Sequence, residues 1–161
     1  MNRRTLTTAT LAILAVLFAA ALPQASFAQT NPLVGSWKMN PAKSKYSPGP
    51  APRSATLKYQ ADGQNLKRTN EGTDAEGKPA NNEWVNIFDG QAHPSPGPNY
   101  DSSVYTQVDP YTFHFTRLKA GKIVQFGFGV LARDGKTFTV TTIGTGPKGE
   151  QINNVAVYDK Q

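Results

Sequence analysis

From Ser54 onward the chain is a succession of short runs in which apolar and polar residues alternate, each closed by a turn dipeptide. A period of two places alternate side chains on opposite faces of an extended strand. Helical periodicity is almost absent beyond the first 28 residues. SATLKYQ (54–60) sets Leu57 and Tyr59 against polar neighbours, and Asp62-Gly63 follows. Asp-Gly is a strong hairpin signal because glycine accepts positive φ at little cost. NLKRTNEG (65–72) continues the pattern. In NNEWVNIF (81–88), Trp84, Asn86 and Phe88 alternate with Val85 and Ile87 before Asp89-Gly90. SSVYTQV (102–108), YTFHFTRL (111–118), KIVQFGFGVL (122–131), TFTVTTIG (137–144) and QINNVAVYD (151–159) complete the series. With 33–39 at the front, about nine strands are predicted.

An ungapped repeat accompanies the pattern. Asp62–Asn82 and Asp134–Asn154 share Asp-Gly at the same place, then Thr69/Thr141, Gly72/Gly144 and Asn81-Asn82/Asn153-Asn154. The shared unit reads as strand, turn, strand, through duplication or through convergent turn chemistry. Two stretches, 40–52 and 91–101, contain Ser-Pro-Gly-Pro and are barred from central strands. They are expected as long loops, where binding often resides.

An antiparallel meander must hide its two edge strands, and closure into a barrel does so. The expected fold is therefore an all-β, antiparallel up-and-down barrel of about 8–10 strands, with strand 33–39 paired to strand 151–159. GSWKMNPAKSKYSPGPAP, with Gly35-Ser36-Trp37 on the first strand, resembles the lipocalin-like (calycin-type) barrels. It is also similar to the front of small exported bacterial proteins of unknown function. The resemblance implies that Trp37 plugs one barrel end and that loop 40–52 lies at the open end. It brings no activity with it. The arginine that lipocalins carry over this tryptophan has no counterpart in 151–159, and the family's Thr-Asp-Tyr stretch and C-terminal helix are absent.

Ahead of the barrel stand Arg3 and Arg4, an apolar run from Leu11 to Ala21, and small residues at Ser26 and Ala28. These are the parts of a secretory signal. Residues 1–28 are predicted to form a cleaved signal helix, leaving 29–161 as one barrel domain in the periplasm or outside the cell, with no stable membrane span after cleavage. The chain has no cysteine, so neither a disulfide nor a lipidated N-terminus is available. Its formal charge of +6 is spread singly along the sequence, which excludes a nucleic-acid footprint.

Chemistry is sparse. No Gly-x-Ser-x-Gly elbow is present. His93 and His114 lack the companions of a metal site, and Asp62, Asp89 and Asp134 stand as turn formers. No cofactor and no metal is expected, and no catalysis. His114 shares a face with Thr112 and Thr116 and is read as outward. The expected role is binding of a small apolar or amphipathic ligand inside the barrel by Trp37, Tyr59, Trp84, Phe113, Phe115, Phe126 and Phe128. Gly127 and Gly129 could leave room either for neighbouring rings or for that ligand. The alternative is an envelope protein-interaction or inhibitor-like module with a filled barrel, meeting a protein partner through loops 40–52 and 91–101.

Overall fold

A computed structural model describes residues 31–161; the predicted signal segment 1–28 lies outside the described residues. Ten strands follow one another: β1 (Gly35–Met39), β2 (Ser54–Asp62), β3 (Asn65–Thr73), β4 (Asn82–Asn86), β5 (Ala92–Pro94), β6 (Ser102–Asp109), β7 (Thr112–Lys119), β8 (Lys122–Leu131), β9 (Thr137–Thr145) and β10 (Gln151–Lys160). They form one antiparallel sheet in the order β4-β3-β2-β1-β10-β9-β8-β7-β6-β5. First and last strands pair as predicted, with Trp37 opposite Lys160 and Met39 opposite Tyr158. The sheet curls into a nearly closed barrel, whose unpaired edges, β4 and β5, are consecutive in sequence.

All nine predicted strands are present. The tenth, β5, interrupts the loop predicted over 91–101. It has three residues and pairs only with β6, through His93 opposite Ser103. Pro94 cannot donate to a second neighbour, so the edge is where such a strand can stand. The repeat holds for strand positions: β3 and β9 correspond residue for residue, and Gly72 and Gly144 each press against a neighbouring backbone. A Cβ would meet Ala55 Cα at 3.0 Å in one and Gln125 Cα at 2.8 Å in the other. The turns differ, which weighs against a duplicated hairpin. Asp62 pairs with Asn65 around a two-residue turn, whereas Asp134-Gly135 lies in a longer connection, with Leu131 opposite Phe138.

The core fills one end of the barrel. Phe138, fully buried, is its hub: its ring centre lies 5.8 Å from that of Trp37, 5.9 Å from Tyr59, and 6.1 Å from Phe113 and Tyr158. Trp37 is fully buried and donates from Nε1 to the Leu33 carbonyl at 2.8 Å. The Lys160 ammonium stands 5.0 Å from its ring centre. Gly35 makes this possible, since a Cβ there would lie 3.3 Å from the Lys160 stem. A cation on the last strand thus covers the tryptophan after all, one residue beyond the predicted strand end, and it is a lysine.

β8 corrects one expectation. Phe126 and Phe128, placed inside by the sequence reading, point outward and are 49% and 38% exposed. Gly127 and Gly129 face inward instead. The interior at that height is filled from β7: a Cβ on Gly127 would stand 2.7 Å from Phe115 Cζ, and one on Gly129 would overlap the Phe113 ring. The space over these glycines serves neighbouring rings.

Candidate functional site

Above the Phe138 layer the barrel holds a cavity of about 280 Å³. Tyr59, Phe113 and Tyr158 separate it from the core, and Leu57, Tyr105, Phe115, Val140 and Ala156 add apolar wall. The two Pro-rich segments reach it, through Tyr46 from the first and through Pro98, Asn99 and Tyr100 from the second. Gly97 lets the second fold back, because any Cβ there would run into the Tyr100 ring.

Two arginines enter this wall, Arg68 from β3 and Arg117 from β7. Each sits in phase with buried neighbours on its strand: Leu66 before Arg68, Phe113 and Phe115 before Arg117. The lining contains no aspartate or glutamate, and neither arginine forms an ion pair among the described residues. Arg68 lies 4.2 Å over the centre of the Trp84 ring and donates from Nη1 to Asn82 Oδ1 at 3.0 Å. Burial works against its charge while the neighbouring Tyr59, Tyr105, Tyr100 and Tyr158 work for it, and its pKa is shifted upward on balance. Arg117 is sandwiched, 4.6 Å from the Tyr100 ring centre and 4.7 Å from that of Phe115. Its Nη1 donates to Gln125 Oε1 at 2.9 Å, while its buried Nε has no partner. Gln125 Nε2 donates onward to the Thr145 carbonyl at 2.9 Å, and Asn99 Nδ2 to the same oxygen at 2.6 Å. One chain of polar contacts thus ties the second Pro-rich segment to the strand ends beside Arg117.

Asn86 is fully buried beside Arg68. Its Oδ1 accepts from Trp84 Nε1 at 2.7 Å, and its Nδ2 is unpartnered. Desolvation by burial raises the pKa of Tyr59 and Tyr158, and pushes Tyr46 up to about 12. All three phenols are therefore neutral at physiological pH. The cavity is apolar on one side and carries unpaired donors and uncompensated positive charge on the other.

Of the seven residues singled out from sequence, Tyr59, Phe113 and Phe115 line the cavity. Trp37 lies beneath it in the core. Trp84 is buried behind Arg68, outside the lining, and Phe126 and Phe128 are on the outer surface. Arg68, Arg117, Asn86 and Gln125 were missed. Their signal was a polar residue in phase with buried ones, as Arg117 is with Phe113 and Phe115. The histidines lie elsewhere. His114 is exposed, and His93 Nε2 lies 2.9 Å from Asp89 Oδ2 near the open seam. Among the described residues no cluster of His, Cys, Asp and Glu could hold a metal ion, and no helix is long and apolar enough to cross a membrane.

No protein-family model and no curated protein matches this chain. Solved structures do. Wild-type fluorescent protein UnaG superposes with a TM-score of 0.53 at 17% identity, over 80% of this chain and 97% of that one. A mutant of the same fluorescent protein gives 0.54 at 16%, over 81% and 96%. Zebrafish ileal bile acid-binding protein, complexed with cholic acid, gives 0.52 at 11%, over 81% and 99%. At such identities the likeness is one of fold, and the fold is that of the lipocalin-like, calycin-type barrels.

Proposed function

We propose that this chain is a non-catalytic binding protein whose barrel takes a small amphipathic anion, its acidic group on Arg68 and Arg117 and its apolar body against Tyr59, Phe113 and Phe115. The observation that carries this reading is the pair of guanidinium groups turned into a cavity with no carboxylate in its lining. A buried donor without a partner costs about 1–3 kcal/mol, and a hydrogen bond to a charged partner recovers that and more. Carboxylate and sulfonate oxygens match the guanidinium fork. The cavity is at the small end for a ligand pocket, so the occupant is compact. Cholic acid, with which the zebrafish protein is complexed, is itself an amphipathic carboxylate, which is compatible with this chemistry.

The lining offers no histidine, cysteine or carboxylate, and burial holds the phenols of Tyr46, Tyr59 and Tyr158 protonated, which disfavours general acid–base catalysis. Tyr46, Pro98 and Asn99 turn the Pro-rich segments toward the cavity, favouring a ligand mouth over the protein-docking alternative. Export through the signal at 1–28 would place this activity in the periplasm or medium.

The test is titration with an anionic naphthalene-sulfonate dye and with a medium-chain carboxylate as competitor. Saturable binding should appear, weaken roughly tenfold or more in Arg117→Met and in Arg68→Met, and fail for the uncharged alcohol of the same chain length. Equal binding of acid and alcohol, unaffected by either substitution, sinks the proposal.

A further inference from the structure

β1 has five residues and pairs with β10 only as far as Met39 opposite Tyr158. Beyond that point β10 takes the first Pro-rich segment as its neighbour. Lys45 and Val155 exchange backbone hydrogen bonds at 2.8 and 2.7 Å, and the Asn153 N–H donates to the Ser47 carbonyl at 3.0 Å. The Ser47 N–H donates to Asn154 Oδ1 at 3.1 Å. These bonds fix the segment beside the mouth, where the chain runs on through Pro48, Pro50 and Pro52.

Between those prolines and the β9–β10 turn runs a groove of about 200 Å³, lined by Pro48, Pro50, Pro52, Pro147 and Ile152. Four residues, Tyr46, Pro147, Ile152 and Asn154, border both this groove and the cavity. The two spaces therefore adjoin, along Asn154 and Ile152 at the outer end of β10. The Tyr46 hydroxyl is directed at Met39 Sδ, 3.4 Å away, which leaves its ring at the boundary. We infer, resting on the anion site proposed above, that the groove receives the end of an unbranched alkyl tail whose acidic head is held by Arg68 and Arg117.

Backbone chemistry, charge and size select this occupant. Proline has no N–H, so a tail laid over Pro48, Pro50, Pro52 and Pro147 strips water from no amide donor at those positions. The charged side chain in the groove is Glu150, whose Oε2 accepts from the Lys148 N–H at 2.8 Å. Lys45, Arg53 and Lys148 flank these residues in sequence, but none lines the groove. Guanidinium groups within and a carboxylate at the outer end orient an anion with its head inward. The cavity alone falls just short of the ~300 Å³ at which ligand pockets begin, and the groove brings the two together into that range. From Tyr158 at the cavity floor to Ile152 is six residues of β10, ~20 Å of extended strand, a span suited to a narrow, stretched chain. The cavity thus limits the part of the ligand near its head, and the groove admits a longer tail.

Calorimetric titration of the full chain with hexanoate, octanoate, decanoate and dodecanoate tests this. Wild-type affinity should climb about fourfold per added methylene through dodecanoate, the gain for each methylene taken out of water. Ser47→Trp fills the groove, and Pro52→Asp puts a charge into it. In both variants hexanoate should bind as in wild type, while dodecanoate should bind tenfold or more weakly than in wild type. Circular dichroism checks that both fold. In wild type, the isotope-labelled terminal methyl of dodecanoate should give nuclear Overhauser contacts to Ile152 and Pro48. A wild-type affinity that levels off at octanoate, a chain-length series unchanged in both variants, or methyl contacts confined to Tyr59 and Phe113 overturns the inference. Levelling at octanoate with arginine dependence intact removes the groove alone. Hexanoate binding that ignores Arg68→Met and Arg117→Met removes the anion site, and the inward head with it.

Discussion

The guanidinium carbon of Arg68 lies 4.2 Å from the centre of the Trp84 ring, on the side of the barrel where the cavity is. Trp84 also donates to Asn86 at 2.7 Å and lies 3.3 Å from the Tyr105 hydroxyl. One of the chain's two tryptophans is therefore built into the wall behind the proposed anion site. The other, Trp37, is fully buried in the core on the far side of Phe138.

Ligand entry should therefore change the emission of Trp84 and leave that of Trp37 alone. Single-tryptophan variants decide it. Trp37→Phe should keep the fluorescence response to an anionic amphiphile, and Trp84→Phe should lose it. A response that follows Trp37 instead would put the occupied space at the wrong end of the barrel.

Trp37→Ala should destabilise the fold by ~3–5 kcal/mol, the range for removing a large aromatic from a packed core. Lys160→Ala should cost far less, ~0.5–1 kcal/mol, since a cation at the surface end of such a contact is worth little more. Urea unfolding followed by circular dichroism measures both. Similar losses from the two changes would mean that Lys160 does more than cover the ring.

Acid should loosen the attachment of the first Pro-rich segment to β10. The Asn40 amide, 2.7 Å from Asp159 Oδ2, and the Lys43 ammonium, 2.9 Å from Oδ1, lower the Asp159 pKa. A depressed folded-state pKa means that the stabilisation is complete above the ordinary aspartate value of about 4. It is lost as pH falls through the lower, folded value. The Ala120 N–H and Ser102 act on Asp101 in the same direction, as do Gln91 and His93 on Asp89. Unfolding midpoints should therefore fall steadily below pH 4, and less steeply in Asp159→Asn. An identical acid dependence in that variant would remove Asp159 from the account.

The leader is open to a direct measurement. Intact mass of the protein recovered from the envelope or medium should correspond to residues 29–161, with cleavage after Ala28. A species that retains the apolar run Leu11–Ala21 would count against export by a cleaved signal.

Much of the fold is local chemistry and is legible in the residues themselves. Alternation marks nine of the ten strands, and glycine or proline marks where they turn. The need to hide two edges brings the first strand onto the last. Period two states which residues share a face of a strand, but it does not state which face is inside. On β8 the apolar face and the glycine face are equally consistent with the pattern. The choice is made by volume, because Phe113 and Phe115 from the adjacent strand already fill the interior and leave room only for Gly129 and Gly127. The same limit hid Arg68 and Arg117, whose phase with buried neighbours becomes meaningful only when the strands beside them bring no carboxylate. Lys160 meets Trp37 through the pairing of strands more than a hundred residues apart in sequence. What the residues determine alone is which strands form and where they turn. Inside and outside, and the charge of the cavity, belong to the closed barrel, because both are sums over side chains contributed by several strands at once.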